Sequence, residues 1–291
     1  MDLAVFLQFV LAGLSAGSIY ALIALGFSVI NNATGIVNFA QGDFAVLGAF
    51  LAYTVLVGMG FPYWLAFLGG VLFASLIGFF LWSFILTRAK SREIILLVFV
   101  TVGFSISLHG IIKEVWGKRP LSLPPISHSN LKLGAFLIDS QYLWIIVITL
   151  TAFLLLHFFF KHTIWGKAIR AVAVDRKAAA MVGIPVKKVI TLSFALAGAL
   201  GGLAGILVAP VWPLSFESGV YLGLKGFAAA VLGGYGSFPG ALIGGLLLGL
   251  IEGIGGYFTS AFKNLIAYSL LFIVLLLRPQ GLLGSHEDEK L

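Results

Sequence analysis

Residues 165–184, WGKAIRAVAVDRKAAAMVGI, set four cations and one acid between two long apolar runs. The cations are Lys167, Arg170, Arg176 and Lys177, and Lys161, Lys187 and Lys188 flank them. The whole chain is 60% hydrophobic and only 10% charged, so this concentration of charge needs a physical reason. Basic loops between apolar spans stay on the cytoplasmic side of a bilayer, which makes 161–188 a cytoplasmic loop of a membrane protein.

Working outward from that loop, the mean hydropathy of +1.09 exceeds what a water-soluble fold tolerates. Apolar runs near the length of about 20 residues needed to cross hydrocarbon occupy 5–30, 36–57, 63–86, 94–112, 142–160, 189–210, 220–234, 240–257 and 264–277. Two of them, 36–57 and 240–257, are rich in glycine or polar residues and are candidate half-helices. The expected fold is an all-α polytopic membrane protein with about eight or nine transmembrane or half-membrane helices. Most of its 36 glycines lie inside apolar runs, as expected where helices pack through small residues without help from water.

The net charge of +7 suits loops facing anionic lipid and argues against nucleic acid, because no soluble basic domain carries it. The chain has no cysteine, which removes disulfides, thiolate nucleophiles and thiolate metal sites. Its first apolar run lacks a basic leader and is too long for a signal-peptide core, so it is expected to be a retained span.

Arg88, Lys90 and Arg92 form a second short basic loop, separated from 161–188 by two spans, so both can face the cytoplasm. Four further elements lead to Arg278, which puts the tail 278–291 inside as well. The connection 113–141, external on this count, also carries Lys113, Lys118, Arg119 and Lys132 and runs against the charge rule. The N-terminus is outside if 36–57 crosses fully and inside if that segment is re-entrant.

An internal repeat is expected. GFSVINNATGIVNFAQGDFAVLGAFLA at 26–52 breaks an apolar run with a polar patch and resumes it, and GFAAAVLGGYGSFPGALIGGLLLGLIEG at 226–253 does the same. Such paired interruptions mark repeated transporter folds, with the substrate path near the breaks. In the first break, Asn31 and Asn32 are expected in a turn closing at Gly35. Asn38, Gln41 and Asp43 either line a translocation path or brace a broken helix, with Asp43 a candidate cap. Gly245, Gly249 and Gly253 repeat every four residues and share one helix face. Glu252 beside them faces a polar cavity or, the stronger reading, pairs with Lys225 or Lys263. His109 has no second histidine or carboxylate at ligand spacing, so it is expected to pack or line a pore and not to hold a metal.

Within the basic loop, Asp175 is a candidate N-cap for a short helix over RKAAAMVG that ends at Gly183 and Pro185. Such a helix is amphipathic and exposes small side chains, as a knob that seats in a groove on a partner. A helix lying on lipid would explain the charges but not the absence of large apolar anchors. No G-x-x-x-x-G-K-[ST] run occurs, so this chain has no phosphate loop of its own. An intramembrane enzyme would need clustered acids, paired histidines or a serine with a base, and the ionisable residues are scattered. A passive channel for small polar solutes such as urea or amides accounts for the spans but leaves the knob without a use.

The pattern GKAIRAVAVDRKAAAMVGI at 166–184 resembles the cytoplasmic-loop signature of branched-chain amino-acid ABC transporter permeases. GSIYALIALGFSVI at 17–30, GIVNFAQGDFAVLGAF at 35–50, FAAAVLGGYGSFPGALIGGLLLGLIE at 227–252 and LLLRPQGLLG at 275–284 extend the resemblance over most of the chain, in the family's order. It is most similar to the H-type member of the paired permeases. The resemblance implies an inner-membrane importer subunit, not itself an enzyme, that moves branched-chain or other amino acids and holds no cofactor. It implies a second homologous permease subunit, two cytoplasmic ATP-binding subunits that hydrolyse ATP, and a periplasmic amino-acid-binding protein. Carried over residue by residue, Arg170, Ala171, Asp175, Ala178, Ala179, Gly183 and Ile184 would form or brace the coupling helix. Asn38, Gln41, Gly42 and Asp43 match the family's first-half motif without an assigned contact to substrate. Residues 118–139 match no pattern of the family.

Overall fold

The computed structural model describes residues 3–89, 93–127, 130–133, 136–258 and 263–284. In chain order these form α1 (Leu3–Thr34), α2 (Gln41–Tyr53), α3 (Tyr63–Phe80), α4 (Ile94–Trp116), β1 (Asn130–Leu133), β2 (Phe136–Asp139), α5 (Ser140–His162), α6 (Ile164–Val174), α7 (Arg176–Met181), α8 (Val186–Val208), α9 (Ser218–Gly233), α10 (Phe238–Phe258) and α11 (Lys263–Leu277). A wider helical turn, Thr54–Gly58, prolongs α2, and the turns Leu81–Ile85 and Leu86–Arg88 prolong α3. Among the described residues, seven helices are long and apolar enough to cross a membrane, and the shorter α9 is apolar as well. The fold is that of a polytopic helical membrane protein. Among the described residues it departs from all-α in the 113–141 connection, where β1 and β2 pair antiparallel. Of the second basic loop, Lys90 and Arg92 lie outside the described residues, as does 285–291 of the tail.

Small residues decide which helices meet. α1 packs most extensively against α10, with Gly13 and Gly17 facing Gly245, Gly249 and Gly253. A methyl group on Gly13 would lie 2.6 Å from the Gly249 carbonyl oxygen, and one on Gly17 would lie 2.7 Å from that of Gly245. Backbone therefore touches backbone, and the four-residue spacing expected on α10 is met by a four-residue spacing on α1. Dispersion over such a close seam supplies the cohesion that the hydrophobic effect supplies in water. A second seam joins α2, α8 and α3, where a methyl group on Gly48 would sit 2.5 Å from the Gly202 Cα and one on Gly202 2.6 Å from the Ala74 Cβ.

The two candidate half-helices part company. Residues 35–40 are not helical, and α2 begins beside Ala197, midway along α8, before running on to the far face. Within 36–57 the chain is thus irregular over 36–40 and helical from Gln41 onward. By contrast 240–257 belongs to the continuous 21-residue α10, which corrects the half-helix expectation. Its glycines serve the seam with α1 and do not break the helix.

Contacts sort the helix ends onto two faces. Thr34, Leu86, Ile94, Lys177 and Val186 line a common cavity, placing the ends of α1 and α3, the starts of α4 and α8, and α7 together. Phe160 at the end of α5 lies 4.4 Å from Phe238 at the start of α10. Leu282 and Leu283 donate backbone hydrogen bonds to Leu232 and Gly233, both 2.9 Å, bringing 281–284 to the same face. On the opposite face the Trp116 indole donates to Thr54 Oγ1 at 2.7 Å, and Leu121 pairs with Leu214. Because α1 is antiparallel to α10, its N-terminal end lies on this opposite face, away from α6 and α7.

Candidate translocation path and docking surface

The first break is built from the polar residues that the sequence singles out. Asn38, Gln41 and Asp43 are all buried. Asn38 Oδ1 accepts from the Ala40 backbone at 3.2 Å, and Gln41 Nε2 donates to the Ala197 carbonyl at 2.9 Å. Across on α4, Thr101 Oγ1 accepts from the Phe39 backbone at 3.1 Å. The bonds to Phe39 and Ala40 satisfy backbone donors that the interruption would otherwise leave bare at membrane depth, and the bond to Ala197 ties the start of α2 to α8. Asn38 and Gln41 therefore brace backbone, and neither they nor Asp43 lines the cavities described below. Asp43 is not the cap expected of it: Ala40 occupies that position without a side-chain bond. Asp43 sits one turn in, where the positive end of the α2 dipole favours a carboxylate, and its Oδ1 accepts from His109 Nε2 at 2.7 Å. Asn38 Nδ2, Gln41 Oε1 and Asp43 Oδ2 have no protein partner.

His109 in turn opens onto an apolar pocket of about 280 Å³ whose walls include Phe27, Phe39 and Phe227. It is a pocket-lining histidine held by a carboxylate, and the described residues contain no group of three potential metal ligands. Its partner, 66 positions away on another helix, is not signalled by any local pattern.

Asn31 and Asn32 fall within the last turn of α1, and the chain turns only at Gly35, whose φ of +64° suits glycine. Asn32 Nδ2 donates to the Gly236 carbonyl at 2.8 Å. The breaks of the two echoed segments thus touch each other. Beside them burial raises the Tyr235 hydroxyl above its ordinary pKa.

The second half contributes a buried ion pair. Lys225 Nζ lies 2.9 Å from Glu252 Oε2, and the Tyr20 hydroxyl donates to the same oxygen at 3.0 Å. Lys225 is the partner found among the described contacts, and the Lys263 side chain lies outside them. The rings of Tyr20, Tyr221 and Tyr268 surround the ammonium at 5.7, 5.5 and 4.9 Å, adding attraction to its charge. One edge of this cluster borders a cavity of about 250 Å³ with Tyr20, Trp212, Tyr221 and Glu252 in its walls. Tyr20 escaped sequence reasoning, although its place inside GSIYALIALG, a polar tip in an oily helix, was a usable sign.

The basic loop folds as a broken helical hairpin. Thr163 caps α6 by accepting from the Gly166 backbone at 3.0 Å. Asp175 ends α6 and starts α7, its Oδ1 accepting from Lys177 and Ala178 at 2.7 and 3.1 Å, as the capping expectation requires. The helix closes with Gly183 donating to Ala180 and Ile184 to Ala179, at 3.1 and 3.0 Å, and Gly183 takes φ +87°. Arg170, Asp175, Ala178 and Gly183 are exposed, Ala171 and Ile184 are half-buried, and Ala179 is buried. Two expectations need correcting here. Ala179 faces inward, braced by helix geometry, and cannot be a surface contact. Large apolar side chains are not lacking either: Val174, Met181 and Val182 are 89, 82 and 77% exposed. Each sits at or past the end of its helix, outside the periodic pattern that signals an apolar face. Burial lowers the Arg176 guanidinium from its ordinary value.

A sequence model of the family described as "Branched-chain amino acid transport system / permease component" matches residues 9–277. The chain belongs to this family. It is 32% identical over 302 residues to the high-affinity branched-chain amino acid transport system permease protein LivH of Escherichia coli K12, covering 98% of this chain and 97% of that protein. It is 33% identical to the permease protein BraD of Pseudomonas aeruginosa, covering 98% of each. A probable branched-chain amino acid transport permease protein LivH of Methanocaldococcus jannaschii is 27% identical over 92% of this chain and 89% of its own length. The permease match spans both breaks, the ion pair and the hairpin.

Proposed function

We propose that this permease forms one half of the path of an ATP-driven importer of branched-chain amino acids, powered by separate ATP-binding subunits seated on α6 and α7. The observation that carries this is the hairpin itself. It is fixed at both ends by its own caps, yet presents Val174, Met181 and Val182 to solvent among Arg170, Asp175, Arg176 and Lys177. Apolar side chains ringed by charge on a rigid element have the composition of a docking knob. With the hairpin facing the cytoplasm, the C-terminal segment is inside and the N-terminus outside, in the inner membrane. A second permease subunit and an external amino-acid-binding protein complete the assembly, and the names of the relatives support that substrate class.

The two cavities suit such a substrate, since each is mainly apolar with a few polar groups, Ser105 and His109 in one and Ser15, Tyr20, Tyr221 and Glu252 among those in the other. Sites for small aliphatic molecules are built in this way. Alternating access then requires an outside drive, delivered where the hairpin meets the body through α5 and α8.

The test is reconstitution in liposomes with radiolabelled leucine. ATP-dependent uptake is expected only when the ATP-binding subunits and the second permease are present. Robust ATP-driven uptake by this chain alone would refute the proposal, and equilibrating flux through the lone chain would favour the passive channel.

A further inference from the structure

A cavity of about 500 Å³ opens between α7 and the membrane-embedded body. Arg176, Lys177 and Lys187 line it, whereas Ile36, Leu86, Leu97 and Ile190 give it an apolar floor. Trp82 stands in its wall, stacked on Phe194 with ring centres 5.2 Å apart. The Trp82 indole N–H is buried and has no protein acceptor.

We propose that this cavity binds the headgroup and upper acyl segment of an anionic phospholipid. Three cations over an aliphatic floor suit a ligand that is anionic at one end and hydrocarbon at the other. A free phosphate would engage the cations and leave the floor wet, and a neutral lipid would leave the cations uncompensated. Basic pockets between membrane helices bind acidic headgroups on these grounds. The acids that flank the site in sequence are Asp175 and Glu93. Neither lines the cavity, and two acids against three cations still leave the site net positive. A buried donor left unpaired is costly, and a phosphate or ester oxygen of the lipid would give Trp82 its acceptor. The site also lies where a lipid headgroup must be, at the level where α1 and α3 end and α4 and α8 begin.

The placement has a mechanical consequence. Lys177 and Ala180 of α7 form one wall, and Leu86 and Ile94 of the body form another. A lipid held there joins the hairpin to the helices it is to move. This site stands whether or not an ATP-binding subunit docks on the outer side of α7.

The experiment uses the purified full chain in nanodiscs of phosphatidylcholine doped with bromo-acyl phosphatidylglycerol or bromo-acyl phosphatidylcholine. Quenching by bromine assigned to Trp82 is the difference between the wild type and Trp82→Phe. Occupancy about tenfold higher for phosphatidylglycerol is expected, with the preference lost in the triple variant Arg176→Gln, Lys177→Gln, Lys187→Gln. Native mass spectrometry of the wild type and the triple variant reads the same preference as retained lipid, without the tryptophan substitution. Equal quenching by the two lipids, or a preference that survives the triple variant, overturns the proposal. Displacement of the lipid by millimolar inorganic phosphate also overturns it, by showing a site for the free anion.

Discussion

At the scale of single residues, the buried pair of Lys225 and Glu252 has the largest consequence. Removing one partner strands a charge in low dielectric, which costs about 3–5 kcal/mol in measured cases. Glu252→Ala is therefore expected to destabilise the protein by that amount in detergent unfolding, whereas Lys225→Met combined with Glu252→Leu recovers most of the loss. Equal destabilisation of single and double variants would show that the pair is not the source. The pair was legible in the sequence because each partner is an isolated charge within an oily run. The bond between Asp43 and His109 was not, since nothing local links a carboxylate on one helix to an imidazole on another. Sequence also could not show that Asn38 and Gln41 spend their polar atoms on backbone bracing, which depends on where Ala197 comes to lie.

At the scale of elements, the seam between α1 and α10 sets a sharp contrast. Gly249→Leu forces backbone apart along the seam, whereas Gly256→Leu meets only the edge of the Phe9 ring, 3.7 Å away. The first is expected to lower the apparent melting temperature strongly or abolish monodisperse protein, and the second to be mild. Glycine spacing made the seam visible in advance, but glycine content also suggested a half-helix at 240–257. The two signals conflict because small residues serve close packing and breakage alike, and only the partner surface of Gly13 and Gly17 decides between them. For the hairpin, Met181→Ser with Val182→Ser is expected to weaken binding of the ATP-binding subunit roughly tenfold or more, since anchors of this kind contribute above about 1 kcal/mol each. Thermal stability should be unchanged, because both side chains are solvent-exposed. Asp175→Arg removes a cap, costing about 1 kcal/mol locally, and is expected to uncouple ATP hydrolysis from leucine uptake while insertion into the membrane persists. Coupled uptake at the wild-type ratio in either variant would remove the hairpin from the mechanism.

At the scale of the whole molecule, helix ends fall on two faces, and the hairpin shares its face with the C-terminal segment and both polar breaks. The basic loop carried the expected orientation of the chain, and the family resemblance agreed with the matching permease model over residues 9–277. What sequence left open was the path of 36–57, which determines the side of the N-terminus. The contacts of Gln41 with the middle of α8 and of Thr54 with Trp116 run the segment from the middle of the bundle to the face opposite the hairpin. Since the chain contains no cysteine, any introduced thiol reports on a single place. The most direct measurement is therefore labelling of Val182→Cys with a membrane-impermeant maleimide. A docking knob on the inner surface predicts no labelling in intact cells, ready labelling in inverted vesicles, and protection once the ATP-binding subunit is added. Labelling from outside intact cells, or no protection by that subunit, would contradict it.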